Sequence, residues 1–212
     1  IPFYRALIDR GGEPPEALHL LGLALQQTGR PEQGEPFMER ALAAAPDYTA
    51  AWVNLGNLRQ ELDRPVPAEA AYRRALALRP ADPVTWTNLG NALRLQGRLA
   101  EASKAHQRAI AFDDRFAVAH ANLAVVLKEK DNPAQAVKSF QQALALGGAN
   151  AATQAGLGDA LRQMGDMQAA ETELRAAVAL GVEHISPYQL TIEQTTPFGR
   201  AVKRKLWSPP ED

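Results

Sequence analysis

Cysteine is absent from the 212-residue chain, which excludes a disulfide framework, a thiolate zinc site and a Cys-bound iron–sulfur cluster. Aromatic residues make up only 6%, which argues against a single large globular core. Neither charge sign dominates, because the chain has 23 Lys and Arg residues and 24 Asp and Glu residues. The chain therefore has no basic excess for binding nucleic acid. No uncharged apolar run reaches the roughly 20 residues of a membrane span, so we also expect no membrane partner.

The abundant residues favour helices. Apolar residues make up 46% of the chain, most of them Ala and Leu, and these two are strong helix formers together with Arg, Glu and Gln. This apolar content, with a net charge of −1, is too high for a disordered chain. The composition predicts an all-α protein. No feature of the sequence fixes the cellular compartment, and we expect a cytoplasmic location.

The sequence repeats itself every 34 residues. The motif Asn-Leu-Gly-Asn occurs at 54–57 and again at 88–91, and Asn122 continues the series at the same spacing. The glycine column of this motif reads Gly22, Gly56, Gly90, Ala124 and Gly158. Five copies fit residues 15–184 without an insertion, at 15–48, 49–82, 83–116, 117–150 and 151–184. Residues 1–14 fit the end of a truncated sixth copy, with a helix expected near residues 3–9.

Each copy predicts two helices separated by a short break. In the third copy, Asp82 is in position to cap a first helix that has Pro83 at its first position, where a proline costs nothing. A glycine within a helix costs roughly 1 kcal/mol relative to Ala, so the glycine column predicts that a second helix crosses closely. We expect the matching contact to be the Ala column of that helix: Ala41, Ala75, Ala109, Ala143 and Ala177.

These columns resemble those of the tetratricopeptide repeat (TPR). The W-x2-L-G signature of that family is matched by Trp52, Leu55 and Gly56, and the same residue types recur 34 positions later. The resemblance implies a right-handed solenoid of antiparallel helix pairs, followed here by a short non-repeat tail. It also implies that the first helices line a concave groove. Solenoids of this kind bind extended protein segments along that face, so the implied function is a protein-interaction scaffold.

The resemblance places an Asn ladder in the groove. Asn54, Asn88 and Asn122 form one column of the first helices, and Asn57 and Asn91 follow in the next. An Asn amide both donates and accepts, so each rung is able to pair with a peptide N–H and C=O. The run is similar to the Asn ladder in the repeats of O-linked N-acetylglucosamine transferases. The alternative is that these side chains are solvated or satisfied within the solenoid.

A third column carries positive charge. Arg94, Lys128 and Arg162 are expected to form a cationic edge of the groove, with Asp159 opposing it. A solvated helix face is the alternative interpretation of the same residues. The complete predicted peptide-binding set is Asn54, Asn57, Asn88, Asn91, Asn122, Arg94, Lys128 and Arg162.

The sequence carries no catalytic or metal-binding pattern. Its four histidines, at 19, 106, 120 and 184, are too scattered for metal-ligand spacing. The glycines at 156 and 158 resemble part of a dinucleotide loop, but they lie inside a repeat helix without a preceding strand. We therefore predict a protein that is not an enzyme and needs no cofactor or metal. Its predicted partner is a protein or peptide segment in the groove, and its oligomeric state is left open.

Residues 185–212 depart from the repeat, and their β-branched and aromatic residues predict a short strand and a turn. The stretch 182–212 resembles an internal segment of oxygen-independent coproporphyrinogen III oxidase-like radical S-adenosylmethionine proteins, through motifs such as His184-Ile185-Ser186. Their iron–sulfur cluster needs three Cys, so this resemblance carries no catalysis to the present chain. The start at Ile1 and the foreign tail together predict a fragment.

Two further functions stay open at this point. In the first, the repeats are the substrate-recruiting part of a larger enzyme, of glycosyltransferase or radical S-adenosylmethionine type, whose catalytic domain lies outside the chain. In the second, the repeats assemble with one another through exposed solenoid ends. A catalytic domain in frame with this sequence would favour the larger enzyme.

Overall fold

The computed structural model describes residues 14–148 and 150–179, so the helix expected near residues 3–9 and the tail 185–212 lie outside the described residues. Within this part of the chain there are ten α-helices and no β-strand. They are α1 (Pro15–Gln27), α2 (Pro31–Ala44), α3 (Thr49–Glu61), α4 (Pro65–Leu78), α5 (Pro83–Leu95), α6 (Leu99–Phe112), α7 (Ala117–Glu129), α8 (Pro133–Ala145), α9 (Ala151–Gln163) and α10 (Met167–Ala179).

The helices are arranged as five consecutive pairs. Three residues join the two helices of each pair, and four or five residues lead to the next pair. A turn this short makes the two partners antiparallel. Each second helix also packs against the first helix of the following pair, which stacks the pairs into a solenoid. The all-α solenoid predicted from the sequence is therefore confirmed.

Every first helix ends in the same way. The residue after the C-cap has a positive φ in each pair, at Gly29, Asp63, Gly97, Asp131 and Gly165. The backbone N–H of the following residue then bonds to the carbonyl five positions earlier, as Arg98 does to Leu93 at 3.0 Å. This Schellman geometry satisfies carbonyls that the helix leaves without partners, and it turns the chain into the second helix.

The predicted cap of α5 is confirmed. The side chain of Asp82 accepts a hydrogen bond from the Thr85 N–H at 3.3 Å, and Pro83 is the first helical residue. Asn150 caps α9 in the same manner, with 2.8 Å between its Oδ1 and the Thr153 nitrogen. Both caps satisfy N–H groups that have no partner within the helix.

The core is divided into three apolar clusters, each of which includes helices from neighbouring pairs. The second cluster, for example, joins Tyr72 of α4, Leu89 and Leu93 of α5, Ala105 of α6 and Val126 of α7. A repeat that buries its apolar face only against its neighbours needs no large central core. This division explains why so few aromatic residues suffice.

The prediction that the glycine column contacts the Ala column is wrong. A Cβ atom at Gly56 would lie 2.4 Å from the ring of Tyr72, and one at Gly90 would lie 2.5 Å from the ring of His106. The second helix does cross closely, but large side chains occupy the space that the missing Cβ leaves, and the Ala column is buried elsewhere. The residues that lie against the glycines of this column are Met38, Tyr72, His106 and Leu174.

Candidate peptide-binding face

The first helices of the pairs form one side of the solenoid. Helices α1, α3, α5, α7 and α9 contact one another across every repeat junction, in addition to contacting the second helices between them. Elements on the inside of a curved stack approach each other more closely than elements on the outside. We call the surface made by these five helices the inner face. All eight predicted site residues lie on its helices.

Asn54 is anchored at the junction of α1 and α3. Its Nδ2 donates to His19 Nε2 at 2.9 Å, and His19 Nδ1 lies 3.0 Å from Tyr48 Oη. With Nε2 as acceptor, the proton of a neutral imidazole is on Nδ1, which donates to the tyrosine. Burial lowers the pKa of His19 and favours this neutral form. The carbonyl oxygen of Asn54 and its second N–H are not used in this network.

A second network joins α3 to α5. Asn88 Nδ2 donates to Asn57 Oδ1 at 3.0 Å, which brings two predicted site residues into direct contact. The hydroxyl of Tyr72 lies 2.9 Å from that same oxygen and 2.9 Å from Oε1 of Gln60, and its single hydrogen is donated to one of them. Burial raises the pKa of Tyr72, so the hydroxyl keeps its proton and remains a donor.

Asn91 and Asn122 make no hydrogen bond with any residue of 14–148 or 150–179. Asn122 lines an open cleft of about 190 Å³ between α7 and the beginning of α9, together with Ala121 and the ring of Phe140. The preceding repeat has Thr87 where this one has Ala121, so smaller residues help to keep the cleft open. The arrangement places an unused amide beside space for an apolar side chain.

The expected cationic edge is a row of ion pairs. Arg94 Nη1 lies 2.7 Å from Glu129 Oε1, and Lys128 Nζ lies 3.1 Å from Asp159 Oδ2. Arg162 lies 3.9 Å from the other oxygen of Asp159, which is buried and links α7 to α9. Each predicted cation therefore has a carboxylate of the chain beside it, and the inner face is less positive than the sequence suggests.

Comparison of the sequence with family models identifies the repeat. Tetratricopeptide-repeat models match residues 14–81, 71–102 and 121–183. The chain belongs to the tetratricopeptide-repeat family. None of the curated protein sequences compared with it matches.

Solved structures share this TPR fold. PilF of Pseudomonas aeruginosa superimposes with a TM-score of 0.75 at 23% identity, over 90% of this chain and 91% of that chain. A TPR protein of Thermus thermophilus gives a TM-score of 0.63 at 22% identity, over 79% of this chain and 91% of that chain. YrrB, a TPR protein with an unusual peptide-binding site, gives 0.67 at 15% identity, over 95% and 97%. At these identities the likeness concerns the fold alone.

Sequence analysis of the TPR columns missed the residues that anchor the ladder. His19 and Tyr72 are not in the predicted peptide-binding set, yet both hydrogen-bond to Asn side chains of that set. A signal for them exists in the sequence, because each has a polar tip in a column that holds mostly apolar side chains. Such a tip needs a partner when it is buried.

Two further observations concern the described part of this TPR protein. None of its helices has both the length and the apolar character needed to cross a membrane. Residues 14–148 and 150–179 also contain no group of three His, Asp or Glu side chains that could hold a metal ion.

Proposed function

We propose that this TPR protein is a scaffold that holds an extended peptide segment of a partner protein along the inner face. The observation that carries the proposal is the unused hydrogen-bonding capacity of the Asn amides. Asn91 and Asn122 have no partner within the described residues, and Asn54 and Asn88 each use only one N–H within the solenoid. Each of these side chains therefore has donors and an acceptor left for the backbone of a ligand.

The internal hydrogen bonds favour binding rather than oppose it. Asn54 is held by His19, and Asn88 is held by Asn57, so both amides have a defined orientation before a ligand arrives. A side chain that is already ordered loses less conformational entropy on binding, which is commonly about 0.5–1.5 kcal/mol for a flexible one. The buried His and Tyr side chains thus serve to position the ladder.

The spacing of the ladder suits an extended chain. Adjacent packed helices lie about 8–10 Å apart, and an extended peptide rises about 3.3 Å per residue. Successive rungs at Asn54, Asn88 and Asn122 would then meet about every third residue of the ligand. Contacts of this type read the main chain, so they tolerate different ligand sequences. The cleft beside Asn122 would add selectivity for an apolar side chain.

Arg94, Lys128 and Arg162 take a secondary part in this proposal. Their positive charges are offset by Glu129 and Asp159, so an acidic ligand has to compete with carboxylates that are already in place. We propose that the three cations make a salt-dependent contribution that is limited to acidic ligands. The role of the scaffold is binding without catalysis.

The resemblances to two enzyme families that the sequence suggests remain part of this proposal. The likeness of the ladder to that of O-linked N-acetylglucosamine transferases agrees with recognition of peptide backbone. The alternative, a recruiting module of a larger enzyme of glycosyltransferase or radical S-adenosylmethionine type, uses the same inner face. Translation of the flanking genomic sequence distinguishes the two, because a catalytic domain in frame is expected only for the second.

The test uses a peptide selected from a displayed library of random twelve-residue sequences, and its affinity is measured by calorimetry. Asn122→Ala is the cleanest variant, since this side chain has no partner in the described structure, and it should weaken binding without changing stability. Replacement of Asn54, Asn88 and Asn122 together should cost on the order of a hundredfold in affinity, at about 0.5–1.5 kcal/mol for each hydrogen bond.

A matched control replaces Gln107 and Gln141 with Ala, because these exposed amides lie on second helices. The control should bind the peptide as the wild type does. Circular dichroism of every variant separates a loss of binding from a loss of folding. Wild-type affinity in both Asn122→Ala and the triple variant would reject the inner face as the binding surface.

A further inference from the structure

A second pocket lies on the other side of the solenoid from the ladder. It is an open pocket with a volume of about 180 Å³, lined by α4, α5 and α6. The pocket-lining residues of α5 are separated by three and four positions, so they share one face of the helix, opposite Asn88 and Asn91. Leu89 and Leu93 are almost fully buried and form the base of the pocket.

Trp86 gives this pocket a fixed aromatic wall. Its indole Nε1–H donates to the backbone carbonyl of Pro80 at 2.7 Å, and its side chain is half-buried against the second apolar cluster. An aromatic ring that is held in one orientation contributes contact area to a ligand at a low entropic cost. The pocket therefore offers a preformed place for a bulky apolar side chain.

The charged side chains around the pocket include two more cations than carboxylates. Two arginines and two glutamates first form a neutral ring: Arg73 pairs with Glu69 at 2.8 Å and with Glu101 at 3.8 Å, while Arg98 pairs with the same two carboxylates at 2.6 and 2.7 Å. This ring occupies the carboxylates nearest to the pocket.

Lys104 and Arg108 supply this excess of positive charge. Both line the pocket from α6 and are exposed, and neither makes a hydrogen bond or an ion pair within the described residues. Like charges four positions apart on a helix repel each other. A ligand that brings negative charge to this position removes the repulsion. Glu101 also lines the pocket and interacts with Lys104, but it is already paired with Arg98 at 2.7 Å.

The combination is specific to the third repeat. One repeat earlier, Arg59 stands in place of Leu93 and pairs with Glu35 and Glu39, and Ala70 stands in place of Lys104. In the fourth repeat, the tryptophan is replaced by His120 and the arginine by Gln142. The apolar base, the indole wall and the pair Lys104 and Arg108 occur together only in the third copy among the described repeats.

We propose that this pocket binds an acidic peptide segment of a partner protein, which inserts a Leu or Phe side chain against Trp86 while its neighbouring carboxylates contact Lys104 and Arg108. A peptide fits better than a nucleic acid, because the two cations are isolated and the chain as a whole has a net charge of −1. The site is independent of the inner face. The scaffold thereby gains a second surface, so that two partners are held at once.

The test follows the indole N–H signals of the isotopically labelled full chain by nuclear magnetic resonance. The probe is an eight-residue peptide in which Leu-Phe is flanked on each side by three Asp or Glu residues, with blocked termini. The matched peptide carries Asn and Gln in place of the acids. The signal of Trp86 should shift with the acidic peptide, whereas Trp52, at the same position one repeat earlier, is an internal control that should not respond.

The variants Lys104→Ala and Arg108→Gln place at these positions the residues that neighbouring repeats already have. Together they should weaken binding of the acidic peptide roughly tenfold at low salt, and by less at high salt. The ladder variant with Ala at 54, 88 and 122 should bind the same peptide as the wild type does. The proposal is overturned if Trp86 does not respond, if both tryptophans respond equally, or if the uncharged peptide binds as well as the acidic one.

Discussion

Gly90 shows how a single residue sets the distance between two helices. A Cβ atom at this position would lie 2.5 Å from the ring of His106, which is fully buried and has no free space to enter. Leu is a better helix former than Gly by nearly 1 kcal/mol, so helix propensity and packing oppose each other. We expect Gly90→Leu to lower the free energy of unfolding by about 1–3 kcal/mol in urea denaturation. A variant as stable as the wild type would show that the two helices separate easily.

His106 makes the stability of the protein depend on pH. Burial lowers the pKa of this imidazole to about 4, and nearby Arg94 contributes to the shift. Neither ring nitrogen has a hydrogen-bond partner in the described structure. The unfolded chain binds a proton near pH 6.5, whereas the folded chain does so only near pH 4. The stability that the fold gains by keeping His106 neutral is therefore fully present above about pH 6.5. It is lost progressively as the pH falls to about 4.

The expected loss over this range is about 3 kcal/mol. Phe140 occupies the equivalent position one repeat later, so His106→Phe should fit and should also remove two unsatisfied nitrogens. We expect this variant to be more stable than the wild type at neutral pH, and the difference to grow as the pH is lowered. Urea titrations between pH 4.5 and 7.5 measure it, and a difference independent of pH would contradict the assignment.

Some of these residue contacts were predictable and others were not. A repeated glycine within a helix predicts that another helix crosses closely, regardless of which residue makes the contact. The crossing at Gly56 and Gly90 was therefore evident from the sequence. The partner was not, because Ala and a ring are both able to fill a site that lacks a Cβ. In the same way, the sequence shows where Arg94 and Lys128 lie, but only the stacking angle of the repeats decides which carboxylate reaches them.

At the scale of the helices, the turn inside each pair depends on one residue with a positive φ. Gly97 has φ of 73°, and no atom lies within 4 Å of the position that its Cβ would take. Gly97→Ala should therefore lose about 1 kcal/mol through backbone strain alone. Asp63 has φ of 55° at the equivalent place, so Asp63→Gly should be neutral or slightly stabilising. Equal effects of the two changes in thermal melting would contradict this explanation.

The helices were the most predictable elements of the chain. Most of them begin with Pro at the first position or with a capping side chain, as at Asp82 and Asn150, and the first helix of each pair ends at the glycine or aspartate of the turn. These signals are local and repeat five times, so chance errors at one copy are corrected by the others. The pocket beside Trp86 gave no such signal, because it depends on three helices and on substitutions that occur in one repeat.

At the scale of the whole molecule, each described repeat packs against its neighbours, and each junction of the inner face has its own polar link. His19 bonds Asn54 at the first junction and Asn57 bonds Asn88 at the second. Arg94–Glu129 and Lys128–Asp159 link the third and fourth. Among the described residues, ion pairs between first helices thus occur at the third and fourth junctions, whereas the first two junctions have hydrogen bonds without a cation, including Gln26 to Glu61 at 2.7 Å. The proposed inner face changes in character along its length for the same reason.

A solenoid of this design should tolerate the loss of one complete repeat. Deletion of residues 83–116 joins Asp82 to Ala117, so the aspartate that caps α5 is placed to cap α7, and Asn122 takes the place of Asn88 opposite Asn57. We expect this shortened chain to remain helical and to unfold cooperatively, with an m-value lower by about a fifth because it exposes less surface. Deletion of residues 83–98 is the control. It removes α5 alone and leaves α6 to follow α4. Helix α6 then lacks the partner that buries its apolar face. The control should lose helical content and cooperativity, and similar behaviour of the two deletions in circular dichroism and urea denaturation would show that the 34-residue copy is not the structural unit.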